Sequence, residues 1–248
     1  TPGMNAAIRA VFKTGVDIDL QVMGIYHGYK GLIEGRVGYL AHADVESKMH
    51  KGGTILRTAR SEEFKTEGGI EKAISVLRAY EIEGLIVIGG DGSFKGADAL
   101  SKRGIPVIGI PGTIDNDMGY TDFTIGFDTA VNNVMNEIYK IRDTMRAHDR
   151  VGVIEVMGRR CGDIALETGI AVGATFILVP EIAYDFERDI LNRMEFTSKT
   201  GKHHFIVVVA EGVGHVSDIA KQIEAHTGIE TRPTVLGHVQ RGGSPTLR

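Results

Sequence analysis

The chain has a single cysteine, Cys161, among 248 residues. That excludes an internal disulfide and fits a reducing compartment, so a cytoplasmic protein is expected. No apolar run approaches the roughly 18 residues of a membrane span, which argues against a membrane partner. No signal peptide is visible at the N-terminus. Net charge is −4, with no sustained basic stretch, so nucleic acid is a poor match. Nine histidines stand without ligand spacing and give no zinc site. Neither the P-loop pattern nor the Gly-x-Gly-x-x-Gly fingerprint of dinucleotide-binding folds is present. What the chain does have is glycine: 33 of them, about twice average usage, scattered in short pairs that read as turns. Hydrophobic residues make up 42%, enough for a substantial core.

The recurring pattern is a short apolar strand, a glycine-rich turn, then a helix. Residues 84–88 form an apolar run of strand length, followed by Gly89-Gly90-Asp91-Gly92-Ser93 and a helical pattern over 94–103. The theme returns at 106–110, which runs into Pro111 to Asp117, and at 151–156, which runs into Met157 to Gly162 and a helix over 163–172. Two further strands are expected at 176–179 and 205–209. Strands without polar alternation are buried on both faces, which indicates parallel sheets covered by helices. A long helix is predicted over 131–146, where Val131, Val134, Met135, Ile138 and Ile141 recur at three-to-four spacing. The strand–turn–helix theme then restarts. The expected fold is therefore α/β: two doubly wound, mostly parallel-sheet domains facing across an active-site cleft, with ligands at the carboxyl ends of the strands. At both ends the pattern is interrupted, since Thr1 leads straight into a helix and Gly242 to Arg248 stop in turn-like sequence, so the chain is expected to be incomplete.

Three clusters carry chemistry. In Gly89–Ser93 the glycines permit close backbone approach, and a helix start offers free N–H groups to phosphate oxygens. Asp91 adds a carboxylate suited to Mg²⁺, a hard ion that shares oxygen ligands with phosphates. The same residues fit a plain strand-to-helix turn with Asp91 or Ser93 as N-cap. In Pro111–Asp117, carboxylates two residues apart can divide the work, one receiving a hydroxyl proton while the other supports it. An Asx-rich surface turn fits that stretch by itself; its strand-end position favours chemistry. The third set is cationic: Arg60, Arg150, Arg159, Arg232 and Arg241, whose planar forks suit phosphate. Any one of them reads as a solvated surface residue, and their recurrence at loop ends raises the group. Cys161 reads as a small residue packed at a helix start, and the methionines as core fillers.

Taken in order, these segments resemble bacterial-type ATP-dependent 6-phosphofructokinases. The likeness rests on Pro2 to Arg9, Ile88 to Ser93, Pro111 to Asp117, Thr121 to Ala130, Glu155 to Arg159, Val209 to Gly212 and Leu236 to Pro245. It implies transfer of the ATP γ-phosphoryl to the 1-hydroxyl of fructose 6-phosphate, with Mg²⁺ as cofactor. It casts Asp115 as the base, Asp117 as its support and Asp91 as the metal-associated carboxylate. Arg60, Arg159 and Thr113 would stabilise the transferring phosphoryl. Met157, Gly158, Glu211, His238 and Arg241 match the sugar-phosphate site, together with Thr113, Asp115 and Arg159. Arg150 and Arg232 match residues that reach the 6-phosphate from a neighbouring subunit, which implies a homotetramer with shared active sites. Tyr29, Gly92, Ser93 and Gly96 match the nucleotide side, with Arg60. Arg9, Arg142 and Lys202 resemble cations that bind ADP or phosphoenolpyruvate as effectors, whereas Lys13 and His42 stand where many relatives carry Arg.

The resemblance also divides the chain, into an ATP-binding domain over 1–126 with 240–248 returning to it, and a fructose 6-phosphate-binding domain over 127–239. It implies a Gly-Gly-Asp loop before Thr1 and further elements after Arg248. Pyrophosphate-dependent relatives typically have Asp at the position of Gly92 and Lys at that of Gly112. The two glycines here leave room for a nucleotide and point to ATP. A sugar-phosphate-binding protein without catalysis is the competing class, favoured if Asp91 or Asp115 were replaced; both are present.

Overall fold

The computed structural model describes residues 1–247, which divide into two compact units. Unit 1 holds Thr1–Thr113, Met118–Gly126 and the stretch from 242 onward; unit 2 holds Ile114–Asp117 and Phe127–Arg241. This differs from the expected division in two places, because Ile114–Asp117 and residues 240–241 group with unit 2. The expected 240–248 segment ends at Arg248, which lies outside the described residues. For Ile114 the physical cause is burial: it is 4% exposed and belongs to the unit 2 core beside Phe127 and Val156.

In unit 1, α1 (Met4–Asp17) is followed by β1 (Met23–Ile25), α2 (Gly28–Ile33), β2 (Val37–Tyr39) and α3 (His42–Val45). Next come α4 (Glu67–Ala79), β3 (Leu85–Gly89), α5 (Asp91–Ser101) and β4 (Val107–Pro111). Helix α4 shows how the sequence sets such an element. Thr66 caps it by accepting the Gly69 N–H at 3.1 Å, and Ile70, Ala73, Ile74 and Leu77 recur at helical spacing on its buried face. That face packs on Leu32, Leu85 and Leu100. Strands β3 and β4 pair in parallel, and β1 and β2 form a separate antiparallel pair that the apolar-run pattern does not foretell. Coverage of the parallel pair also departs from expectation. Ile86 and Ile108 face each other in register yet are 45% and 66% exposed.

In unit 2 the elements are α6 (Phe127–Ala147), β5 (Val151–Val156), α7 (Asp163–Ala171), β6 (Phe176–Leu178), α8 (Asn192–Ser198), β7 (Phe205–Ala210), α9 (Val216–Thr227) and β8 (Thr231–Val235). The four strands are all parallel, in the order β6-β7-β5-β8. Alternate side chains go to opposite faces of a strand. Accordingly Ile154, Val156, Ile206, Val208 and Ala210 pack with α6 and α7, whereas Val151, Val153, Val207 and Val209 pack with α8 and α9. The doubly wound, two-faced burial expected from the apolar runs is realised in this sheet. Gly228, at φ 68°, ends α9 in the left-handed conformation that a residue without Cβ adopts at no steric cost.

Candidate active site

The loop after β4 is fixed within unit 2 at three points. Ile114 enters the core. The Asp115 carboxylate, 7% exposed as a residue, lies 3.3 Å from Arg159 Nε. Asn116 takes a left-handed backbone (φ 53°) and donates from Nδ2 to Asp163 Oδ2 at 2.8 Å, at the first residue of α7. Asn adopts that conformation more readily than most residues. A simple Asx turn at the surface does not describe this loop, since its first carboxylate is buried and ion-paired. Asp117 is exposed.

Burial holds the Asp115 carboxyl above the usual carboxylate range. The Arg159 guanidinium opposes that shift, the charges of Asp117 and Glu211 add to it, and Arg241 opposes it. Desolvation and a like-charged neighbour both favour the neutral acid. A carboxyl moved upward in this way is better matched to a proton at neutral pH than an ordinary aspartate.

Arg159 sits on the turn after β5, in the left-handed region at φ 56°. Gly158, at φ 135°, could not carry a side chain there, because a Cβ would lie 2.4 Å from the Cys161 carbonyl oxygen. Glu211, which follows β7, accepts the N–H groups of Gly158 at 3.2 Å and Arg159 at 2.6 Å through Oε1. Two adjacent parallel strands thus supply both the turn and the carboxylate that holds it. Met157 offers its N–H to Gln240 Oε1 at 3.0 Å, and Gln240 is fully buried. His238 and Arg241 lie three residues apart on the 3₁₀ turn Gly237–Arg241, where that spacing puts side chains on one edge. Both are exposed there. Unit 2 therefore gathers Asp115, Met157, Gly158, Arg159, Glu211 and Arg241 around one surface. Sequence reasoning missed Asn116, Asp163 and Gln240, which carry this geometry. Asn116 sits inside a cluster already singled out, but nothing in the sequence pairs it with Asp163.

In unit 1, Asp91 is the first residue of α5 and pairs with Lys95 Nζ at 2.7 Å, one helical turn on. The N-cap position is taken by Gly90, with no side-chain cap bond, which corrects the alternative of Asp91 or Ser93 as cap. Thr113 packs near Gly90, where a Cβ would meet its side chain at 3.2 Å. Tyr29 donates to the Ser93 carbonyl at 2.6 Å and stacks on Phe64, with ring centroids 4.0 Å apart. Burial pushes its phenol well above the usual range. A Cβ on Gly96 would meet the Tyr29 ring at 2.5 Å, whereas one on Gly92 would meet nothing within 4 Å. Arg60 is exposed on an irregular stretch and makes no ion pair among the described residues.

The remaining cations fall into separate places. Arg150 and Arg232 both pair with Glu230. Arg142 and Lys202 line a cavity of about 110 Å³ in unit 2 with Thr175 and His204, while Arg9 belongs to α1 of unit 1. Burial, and then the charge of Arg142, lowers the Lys202 pKa. Burial raises the Cys161 thiol to about 11, which suits a packed residue and not a nucleophile. Among the described residues no set of three or more His, Cys, Asp or Glu could hold a metal by itself. Also among them, no helix is long and apolar enough to cross a membrane.

The whole sequence, residues 1–248, matches the family model described as Phosphofructokinase. An ATP-dependent 6-phosphofructokinase of Clostridium tetani is 58% identical over 245 residues, covering 99% of this chain and 76% of that protein. A Clostridium botulinum protein of the same description matches to the same extent. Among solved structures, phosphofructokinase from Saccharomyces cerevisiae superposes with a TM-score of 0.92 at 36% identity, over 99% of this chain and 38% of the yeast chain. A pyrophosphate-dependent phosphofructokinase from Marinobacter aquaeolei gives 0.82 over 97% of this chain and 66% of its own, at 24% identity, a likeness of fold alone. With its parallel α/β sheets, its buried loop carboxylate and these relatives, the chain belongs to the phosphofructokinase family.

Proposed function

We propose that this chain transfers the γ-phosphoryl group of ATP to the 1-hydroxyl of fructose 6-phosphate, giving fructose 1,6-bisphosphate and ADP. The observation that carries the reading is the buried Asp115 carboxylate, raised by desolvation and set 3.3 Å from the Arg159 guanidinium. A base and a cation side by side are what attack of a hydroxyl on a phosphoryl group requires. Asp115 takes the hydroxyl proton as the oxygen attacks phosphorus, and Asp117 supports it. Arg159, with Arg60 and Thr113, offsets charge on the phosphoryl oxygens, and such charge stabilisation is the main help a protein gives to phosphoryl transfer. Met157, Gly158, Glu211, His238 and Arg241 hold the sugar phosphate.

Asp91 fits Mg²⁺ as a lone protein carboxylate. This ion commonly takes one or two carboxylates and completes its shell with water and substrate phosphates, so no larger acidic cluster is needed. When bound it neutralises charge on the ATP phosphates. Tyr29, Gly92, Ser93 and Gly96 form the nucleotide side, Tyr29 by bracing the start of α5. The open space at Gly92 favours ATP over pyrophosphate, because a side chain there would project where the rest of the nucleotide must pass. The same reading makes the enzyme a cytoplasmic homotetramer in which Arg150 and Arg232 serve a neighbouring site. It also assigns ADP or phosphoenolpyruvate to Arg9, Arg142 and Lys202. On the same reading residues 1–126 with 240–248 form its ATP-binding domain and 127–239 its fructose 6-phosphate-binding domain, with Ile114–Asp117 and residues 240–241 grouped in the fold with the latter.

A coupled assay with ATP or pyrophosphate against a panel of hexose phosphates tests the reaction. Turnover with ATP and fructose 6-phosphate is expected. Asp115→Ser should cut kcat by about 10²–10⁴, the usual worth of a general base, with sugar-phosphate KM little changed. Near-normal kcat in that variant would sink the base assignment.

A further inference from the structure

Strand β8 is an edge strand of the unit 2 sheet among the described residues, and its register on β5 places three charged residues together. Thr231 pairs with Val151, and the Val151 N–H donates to the Glu230 carbonyl at 3.0 Å, so Glu230 is level with Arg150. Arg232 is two residues beyond Glu230 and shares its face of the strand. The side chains follow. Arg150 Nε donates to Glu230 Oε2 at 2.6 Å, and Arg232 Nη2 donates to Oε1. Each carboxylate oxygen takes one arginine, and the trio is left with one net positive charge.

As a stabilising ion pair the Arg232–Glu230 contact adds little, being open to solvent, while the Arg150 side chain is more covered, at 23% exposed. What the geometry does is set two guanidinium groups side by side. Each guanidinium has five N–H donors and spends one on Glu230, which leaves donors for another anion, more openly at Arg232, 57% exposed, than at Arg150. Two free arginines this close would repel and sample separate rotamers, and a ligand would have to order both. Resting on the reading of Arg150 and Arg232 as 6-phosphate contacts, we propose that Glu230 is the positioning residue that preorganises them as a pair for the dianionic phosphate of the sugar. Its carboxylate sets their separation, and its single charge is too small to cancel their joint attraction for a dianion. Glu230 itself touches no reacting atom.

The test is Glu230→Gln in the full chain, which keeps the shape but puts an amide donor against one arginine. Ordering the two side chains anew should raise the fructose 6-phosphate KM by about tenfold. The kcat and the ATP KM should stay at the wild-type value, a split that a general loss of structure would not produce. An unchanged or lower sugar-phosphate KM in a variant with wild-type Tm would overturn the proposal. If the wild-type chain fails to turn over fructose 6-phosphate, the proposed reaction is wrong. Calorimetric titration with fructose 6-phosphate then decides separately about Glu230: weaker binding by the variant supports it, and equal or tighter binding refutes it. Should the Gln variant not fold, Glu230→Asp, which keeps the charge but shortens the reach, must show the same rise in KM.

Discussion

Replacing Arg159 by Gln separates two effects that one residue combines. Arg159 stabilises charge in the proposed transfer, and its loss should lower kcat at every pH by about 10²–10³, as for a deleted transition-state donor. It also stands 3.3 Å from the Asp115 carboxylate. Because the guanidinium side chain is 64% exposed, the attraction is worked at the dielectric of water, where two unit charges at that distance attract by about 1.3 kcal/mol. That is roughly a tenfold change in the ratio of ionised to neutral Asp115. Arg159 is the largest influence favouring the charged form, acting against burial. Removing it therefore raises the Asp115 pKa further. With the ionised carboxylate as the proposed base, the acid limb of the pH–rate profile should move to higher pH, while the level of the plateau reports the lost charge stabilisation. The assay is kcat/KM for fructose 6-phosphate at saturating ATP, followed down the acid side for both proteins. A limb that stays in place, or moves to lower pH, while the plateau falls would refute Asp115 as the titrating base.

Two further changes probe unit 1. Gly92→Asp should leave stability unchanged, because a Cβ there meets nothing within 4 Å, yet reduce kcat/KM for ATP by about tenfold or more through bulk and like charge beside the phosphates; wild-type ATP kinetics would remove the steric case for donor choice. Gly96→Ala sets a gain of about 1 kcal/mol in helix propensity against a Cβ 2.5 Å from a ring that is stacked on Phe64 and bonded to Ser93. Such a ring has little room to yield, so the net outcome should be a loss of about 1–2 kcal/mol in urea unfolding, and an equal or more stable variant would show that Tyr29 moves freely.

What can be read from the residues alone follows from how local each cause is. The strands of unit 2 are legible because burial on both faces leaves a mainly apolar run, continuous in Phe205–Ala210 and broken only by Glu155 in Val151–Val156. Strands β1 and β2 are not, because short three-residue stretches with a glycine at their centre make no pattern distinguishable from a loop. The long helix α6 is legible in its periodicity but begins four residues earlier than that pattern suggests, since Phe127, Thr129 and Ala130 are buried at its first turn. At the site the same division holds. Asp115 and Arg159 announce themselves by residue type and by strand-end position, yet what sets the ionisation of Asp115 is its burial and its neighbour's charge, and both come from segments far apart in the chain. The Arg150–Glu230–Arg232 contact is a product of the register of β8 on β5, whereas Asn116–Asp163 and Met157–Gln240 join loop, helix-start and turn residues that lie far apart in the chain. Residue type proposes a catalytic group, whereas tertiary packing decides which cation, amide or carboxylate stands beside it and so sets its ionisation and its reach. Glu230, ordinary in sequence and defined only by its neighbours, is on the proposal above a position where sugar-phosphate affinity is tuned without altering the groups that meet substrate.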